Sequence, residues 1–345
     1  MHHPGMAIEL PDVVLVSDHG YDALRPEIGA RELELLRPGA YLRPPAAGVP
    51  TWKRKKQRRL ARCVAVAAKL TTPFAFTDVT AAELRGWSVP GGEERCHIVQ
   101  TSNPGSGCTP DIVRHISASL EPWEVTWING LPVVGEDATI LECARRLPAG
   151  DAFVVVDSAF GHLAQMSKFR RTESDARQAV LRARLLERLA ELGPARGVRT
   201  AREVIALADG FAEWPGESRM RWIAIAGRLP LPRCQDELWV DGNQYFADAA
   251  WRGRGPRGAW LAIAEFDGAI KYGGSRGPQA VVEEKNREDA IRRRHKADFA
   301  RLDTPTIGRP DVALRRILEA FPEGAVPPLQ PRRLLQVRPT RRRDR

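Results

Sequence analysis

Three acidic residues in the last third of the chain have the types and positions to bind a divalent cation. Ala259–Phe266 is an apolar run that reads as a strand, with Glu265 near its end and Asp267 just beyond. The two-residue period puts Glu265 and Asp267 on the face shared by Leu261 and Ile263, with Phe266 turned the other way. A carboxylate at the end of so apolar a strand is costly unless it is partnered. Two kinds of partner are open. One is a hard cation such as Mg2+, or Mn2+ in its place, which takes oxygen ligands. The other is a guanidinium, for which Arg287 and Arg292 are the candidates. The three acids are Glu217, Asp248 and Glu265. A bound metal would polarise a phosphate and lower the pKa of bound water, the chemistry of phosphodiester hydrolysis.

The elements that must position these residues follow from local signals. Trp214-Pro215-Gly216 leads into a helix from Glu217-Ser218 to about Ala226, since proline and an acid suit a helix start. Glu237–Val240 is a strand, Asp241-Gly242 a hairpin turn, and Gln244–Asp248 the returning strand, which Asp248 closes. A glycine- and arginine-rich loop at 252–258 precedes the apolar strand. A helix over Gln279–Arg294 and a strand over Ala297–Leu302 follow. The resulting order, αβββαβ, resembles the restriction-endonuclease-like core and makes the chain mixed α/β.

Upstream, Glu173–Leu192 is a helix broken at Gly193-Pro194. Thr200 with Glu203 fits a capping box for a second helix reaching about Phe211. Glu124–Ile128, ending at the turn pair Asn129-Gly130, and Ala152–Asp157 read as strands; Thr139–Leu147 reads as a helix. Asp157 is expected to be a helix cap rather than a catalyst. The expected division is 1–70, a basic N-terminal region; 71–170, an α+β middle module; 171–212, a helical connector; 213–312, the carboxylate domain; and 313–345, a basic tail, partly disordered.

The formal net charge of +10, from 53 Lys and Arg against 43 Asp and Glu, favours a polyanionic partner, with DNA foremost. The basic side chains cluster. Lys53, Arg54, Lys55, Lys56, Arg58 and Arg59 crowd a segment in which Leu60, Val64 and Ala67 recur at helical spacing. Arg252, Arg254 and Arg257 sit in the glycine-rich loop. Both groups suit phosphate contacts, and a solvated face is the competing reading of the first. The five cysteines are odd in number and scattered, and no two have Cys-x-x-Cys spacing. Cys96 beside His97, with Cys108 and His115 downstream, reads as core thiol and surface imidazoles rather than a metal site. MHHPGMAIELPD lacks the apolar core of a signal peptide, and no apolar run could span a membrane, so a cytoplasmic protein is expected.

Ala208-Asp209-Gly210-Phe211-Ala212-Glu213-Trp214-Pro215-Gly216-Glu217-Ser218-Arg219-Met220-Arg221 resembles the opening of the C-terminal nuclease-like domain of actinobacterial AbiEi-type proteins. So do Leu229-Pro230-Leu231-Pro232, Asp248-Ala249-Ala250-Trp251, Glu265-Phe266-Asp267-Gly268, Lys271-Tyr272 and Lys285-Asn286-Arg287-Glu288-Asp289. Leu36–Leu42 looks like that family's winged-helix wing, and Thr77–Gly86 and Gly130–Asp157 like its middle region. The resemblance implies a degenerate winged helix, a middle module and a C-terminal domain similar to very-short-patch-repair endonucleases. It implies DNA binding and autoregulation of a type IV toxin–antitoxin operon with a cognate toxin, or DNA cleavage. By position Glu217, Asp248 and Glu265 match the metal-site acids, so the resemblance implies that these three hold the ion and that Asp248, Glu265, Asp267 and Lys271 form the catalytic set. Two departures stand out: Asp267 occupies the place of the lysine that orients the attacking water, and Lys271 stands where relatives often carry histidine. The expected function is therefore a Mg2+-dependent DNA endonuclease or, in its place, a non-catalytic antitoxin or repressor on a nuclease scaffold. A module that does not bind nucleic acid, its charge merely compositional, is a third reading.

Overall fold

A computed structural model describes residues 8–102, 110–117, 124–255, 258–268, 278–326 and 332–336, with 278–284 as backbone only. Cys108, Arg257, Lys271 and, in the tail, residues 327–331 and 337–345 lie outside the described residues. The chain is mixed α/β and divides into two compact units between Cys143 and Ala144.

The first unit opens with β1 (Val13–Leu15), α1 (Val16–His19), α2 (Tyr21–Gly29), β2 (Glu34–Arg37) and β3 (Ala40–Leu42). The three strands pair antiparallel in the order β1-β3-β2. Pro38-Gly39 turns β2 into β3, with Gly39 at φ +78°, a backbone region that costs glycine nothing. α3 (Thr51–Ala67) then packs two ways. Ala61 and Ala65 lie on Leu36, Ala40 and Leu42 of the small sheet, whereas Leu60, Cys63 and Val66 join a second core.

That second core belongs to β4 (Phe74–Phe76), α4 (Asp78–Leu84), β5 (Cys96–Gln100), β6 (Ile112–Ile116), β7 (Thr126–Ile128), β8 (Leu131–Val133) and the start of α5 (Glu136–Arg146). The five strands run in the order β6-β5-β4-β8-β7, with β5 and β6 parallel. Asn129 and Gly130, both at positive φ (47° and 78°), turn β7 into β8 as their sequence requires.

The second unit contains α6 (Ala149–Leu163), α7 (Arg171–Glu191), α8 (Val198–Leu207), α9 (Pro215–Ala226), β9 (Arg233–Val240), β10 (Asn243–Gly255), β11 (Gly258–Asp267), α10 (Pro278–His295), β12 (Ala297–Asp303), α11 (Thr304–Ile307) and α12 (Pro310–Leu318). Its sheet has the order β12-β11-β10-β9, antiparallel except for the parallel β11–β12 pair that α10 connects. From α9 to β12 the order is αβββαβ.

Three local expectations are corrected. Ala152–Asp157 is helical, as part of α6. Ala152 through Phe160 are all buried, and a run of Val154, Val155 and Val156 enclosed on every side carries no period that separates strand from helix. Asp157 therefore lies inside a helix and does not cap it. The Thr200–Glu203 capping box does not form, because α8 already begins at Val198 behind Gly197, whose φ is +84°. Finally, Arg252–Gly255 is strand rather than loop. The Trp260 ring of β11 lies across Gly253 of β10, where any Cβ would collide with it, so the glycine serves cross-strand packing.

Close backbone approach also fixes the turn after α8. A Cβ on Gly210 would sit 2.6 Å from the Gly161 nitrogen of α6. Gly210→Ala is expected to cost about 1–3 kcal/mol through this forced separation, read as a lowered midpoint in thermal unfolding.

Candidate functional site

The β10–β11 ladder ends at Ala249 opposite Ala264. Asp248 is mid-strand in β10, which runs on to Gly255, so it does not close its strand. It stands instead where β10 parts from β11, and its carboxylate accepts the Phe266 N–H at 2.9 Å. Gln235, opposite it in β9, has φ +47°, and the β9–β10 pairing lapses there.

Glu265 is the next residue on the apolar face, and it is buried. Arg287 of α10 donates to both its oxygens, at 3.0 and 3.1 Å, and Arg301 of β12 lies 3.4 Å away. Arg301 also binds Asp267 at 2.9 Å and Glu288 at 2.9 and 3.0 Å. Arg292, the other candidate guanidinium for Glu265, holds Glu288 at 2.6 Å. Burial acts to raise the Glu288 carboxyl, but its bonds to Arg292 and Arg301 outweigh this and hold it below its ordinary range. The stabilisation from that group is thus present above the ordinary carboxylate pKa and fades as pH falls through the depressed one. Acids and arginines alternate through this cluster.

Glu217 serves its own helix. Its carboxylate accepts the Glu213 N–H at 2.9 Å, satisfying a donor at the entry to α9. The neighbouring Gly216 lies against the Phe266 ring. Because Phe266 and Glu265 alternate across β11, α9 and α10 flank that strand from opposite sides. Glu217 and Glu265 therefore approach from different faces. Among the described residues, the set of three ligand-type groups whose atoms lie within 4.8 Å of one another is Asp78, His97 and His115, not these carboxylates. As placed, Glu217, Asp248 and Glu265 do not fit a shared magnesium ion.

The basic residues also separate into two groups. Arg58 pairs with Glu34 at 3.0 Å, and Arg59 with Glu83 at 2.5 and 2.8 Å. The bond to Glu83 raises the Arg59 pKa above its ordinary value. Arg252 is bound to Asp236 at 2.6 and 2.9 Å. Lys53, Arg54, Lys55 and Lys56, by contrast, have no carboxylate partner among the described residues, and the first turn of α3 contains no acid. Lys53 stacks on the exposed Trp52. Arg254 is exposed on β10.

Two groupings depart from the expectations: Asp157 is no cap, and His97 and His115, expected as surface imidazoles, are largely enclosed, with the His97 side chain 12% exposed. Arg221 of α9 binds Asp157 of α6 at 2.8 Å, and neither is more than 3 % exposed in its side chain. Asp157 also accepts the Asp209 N–H at 2.9 Å, and Arg221 donates to Leu207 O at 2.7 Å. Burial pushes the Asp157 carboxyl up, and Arg221 opposes it. The acidic signal is visible in the sequence, but its partner, 64 residues away, is not. The second grouping is the Asp78, His97 and His115 set. Cys96, beside His97, is a core thiol 3.8 Å from Cys63, as expected.

No family model matches the chain. Two curated relatives, the uncharacterized proteins MT2308 and Rv2248 of Mycobacterium tuberculosis, are each 28% identical to it over 177 residues. That is 50% of this chain and 56% of each relative, so the chain spans about half the length of the curated relatives it matches. The crystal structure of RV2827C protein from M. tuberculosis aligns with 67% of this chain and 85% of that chain, at a TM-score of 0.32 and 15% identity. No helix among the described residues is long and apolar enough to cross a membrane.

Proposed function

We propose that this chain is a DNA-binding regulator of the AbiEi antitoxin type, carrying an endonuclease-like core whose carboxylates serve structure instead of metal chemistry. The observation that carries DNA binding is the start of α3. Lys53 and Arg54 lie in the first turn, where a helix macrodipole disfavours cations and no acid offsets them, and Lys55 and Lys56 extend the cluster into the second. A local rule broken without compensation points to a role elsewhere, and neutralising phosphates is the role that fits four such cations. The strand-helix-helix-strand-strand order just before α3, with its β1-β3-β2 sheet, supports a degenerate winged helix.

The non-catalytic half of the proposal rests on Glu265. Two guanidinium groups already neutralise it, and Asp267 stands where a water-orienting lysine belongs. Plasmid incubation in magnesium and in manganese, with Glu265→Ala alongside, tests this directly. Neither protein is expected to cut, while both bind duplex DNA with an affinity that falls as salt rises. Nicking by the native protein that the variant lacks would establish the endonuclease reading instead. Binding insensitive to salt would remove DNA as the partner.

The same proposal makes Glu265→Gln a stability variant. Weakening a half-buried charge-assisted pair should cost about 1–3 kcal/mol in denaturant unfolding, with DNA affinity unchanged.

A further inference from the structure

The geometry points to a second, independent site in the first unit: we propose that Asp78, His97 and His115 bind a divalent transition-metal ion of the zinc type. Asp78 opens α4, His97 lies on β5 and His115 on the parallel strand β6. His97 pairs with Val113 and Val99 with His115, which puts both imidazoles on one sheet face, offset by two residues. The two rings lie 5.4 Å apart between centroids.

Two of the three ligand–ligand edges have the length of a tetrahedral shell, and the third is below 4.8 Å. His97 Nδ1 is 3.5 Å from Asp78 Oδ2 and 3.3 Å from His115 Nε2, and all three ligand atoms fall within 4.8 Å of one another. Zinc bonds of about 2.0–2.2 Å to nitrogen and oxygen imply ligand–ligand edges of about 3.3–3.6 Å in a tetrahedron. Three protein ligands leave one position for water or an incoming donor, and the mixed histidine and carboxylate set suits zinc better than magnesium.

Proton bookkeeping favours the metal over a simple hydrogen-bonded triad. His97 Nδ1 faces both a carboxylate and a second imidazole nitrogen, and one N–H cannot serve the two equally. At the other end of the ring, Nε2 is buried without a hydrogen bond, while Glu93 Oε2 lies 3.7 Å away. An ion on Nδ1 satisfies this arrangement. It takes the Nδ1 lone pair, leaves the proton on Nε2, and aims that N–H at Glu93 as the orienting carboxylate behind a metal-bound histidine.

Asp78 is prepared in the same sense. Its Oδ1 is occupied by the Val79 N–H at 2.8 Å and by the Cys143 thiol at 3.6 Å, which leaves Oδ2 toward the histidines. Its φ of +53° is a strained conformation for a residue with a side chain, and such strain collects at functional positions.

The test uses the full chain freed of metal by a chelator, titrated with Co2+ as a coloured stand-in and with Zn2+ against an indicator dye. One ion per chain is expected, with the intense visible bands of four-coordinate cobalt. His97→Gln and His115→Gln should each abolish those bands while far-UV circular dichroism stays native. Glu93→Gln, which alters no ligand, should keep the bands and weaken zinc binding by about 10–100-fold. It also serves as the reporter should a histidine variant not fold. Absence of the bands in the native chain would overturn the proposal. So would bands or zinc affinity indifferent to these substitutions, which would instead assign the metal to thiols or the surface.

Discussion

Arg221→Met is expected to destabilise the second unit by about 3–5 kcal/mol, the loss seen when one member of a buried ion pair is removed. Asp157, fully buried beneath it, would be left with the Asp209 N–H and only the charge of Arg182, which lies beyond ion-pair distance. The Leu207 carbonyl would lose its guanidinium donor as well. Domains are stable by only about 5–15 kcal/mol, so this loss is a large share of the whole. Adding Asp157→Asn to Arg221→Met should restore much of it, because the amide oxygen still accepts the Asp209 N–H and no charge remains buried. Urea unfolding followed by circular dichroism compares the three proteins. A single-variant loss below about 1 kcal/mol, the range of surface pairs, would mean that water reaches the pair.

Replacing Lys53, Arg54, Lys55 and Lys56 together by glutamine should cut DNA binding sharply. Each phosphate that a side chain no longer neutralises lowers the slope of log affinity against log salt by about 0.9, so four such phosphates predict a drop of about 3–4. The quadruple variant should nevertheless fold at least as well as the native chain, since cations at a helix start are unfavourable. A companion variant, Arg58→Gln with Arg59→Gln, separates phosphate binding from fold support. Those two guanidinium groups already hold Glu34 and Glu83, so the double change should cost stability and little of the slope. Fluorescence anisotropy on a labelled duplex at several salt concentrations reads both. An unchanged slope in the quadruple variant would move the DNA-binding surface away from α3.

The parts legible in the sequence were those whose cause is local. Asp241-Gly242 and Asn129-Gly130 announce turns because their own backbones favour positive φ, and both turns form. The αβββαβ order followed from strand alternation and helix-start chemistry within single segments. Where the cause is tertiary, the sequence carries no local signal. Val154–Val156 becomes helix because neighbours enclose it on every side, and Arg252–Gly255 becomes strand because Trp260 of the next strand covers Gly253. The same limit applies to the sites. That Glu265 needs a partner could be read from its apolar strand, and Arg287 was one of the candidates. Whether a cation or a guanidinium meets it depends on how α10 and β12 return to the sheet. Asp78 was invisible as a ligand, because it meets His97 and His115 only through the pairing of β4, β5 and β6.

The parallel placement of β12 also orders events in time. The β9–β10–β11 meander closes through short local connections, whereas β12 must wait for the crossover through α10. Loop closure costs more as the loop lengthens, and non-local parallel pairing is slow. The meander should therefore assemble early and β12 dock late. Arg301 arrives with β12, so its ties to Glu265, Asp267 and Glu288 are expected to close late, with little of them formed in the transition state. Interactions absent from a transition state govern how fast the native state is lost rather than how fast it forms. On this view the arginine–carboxylate cluster is a kinetic latch that lengthens the lifetime of the folded sheet.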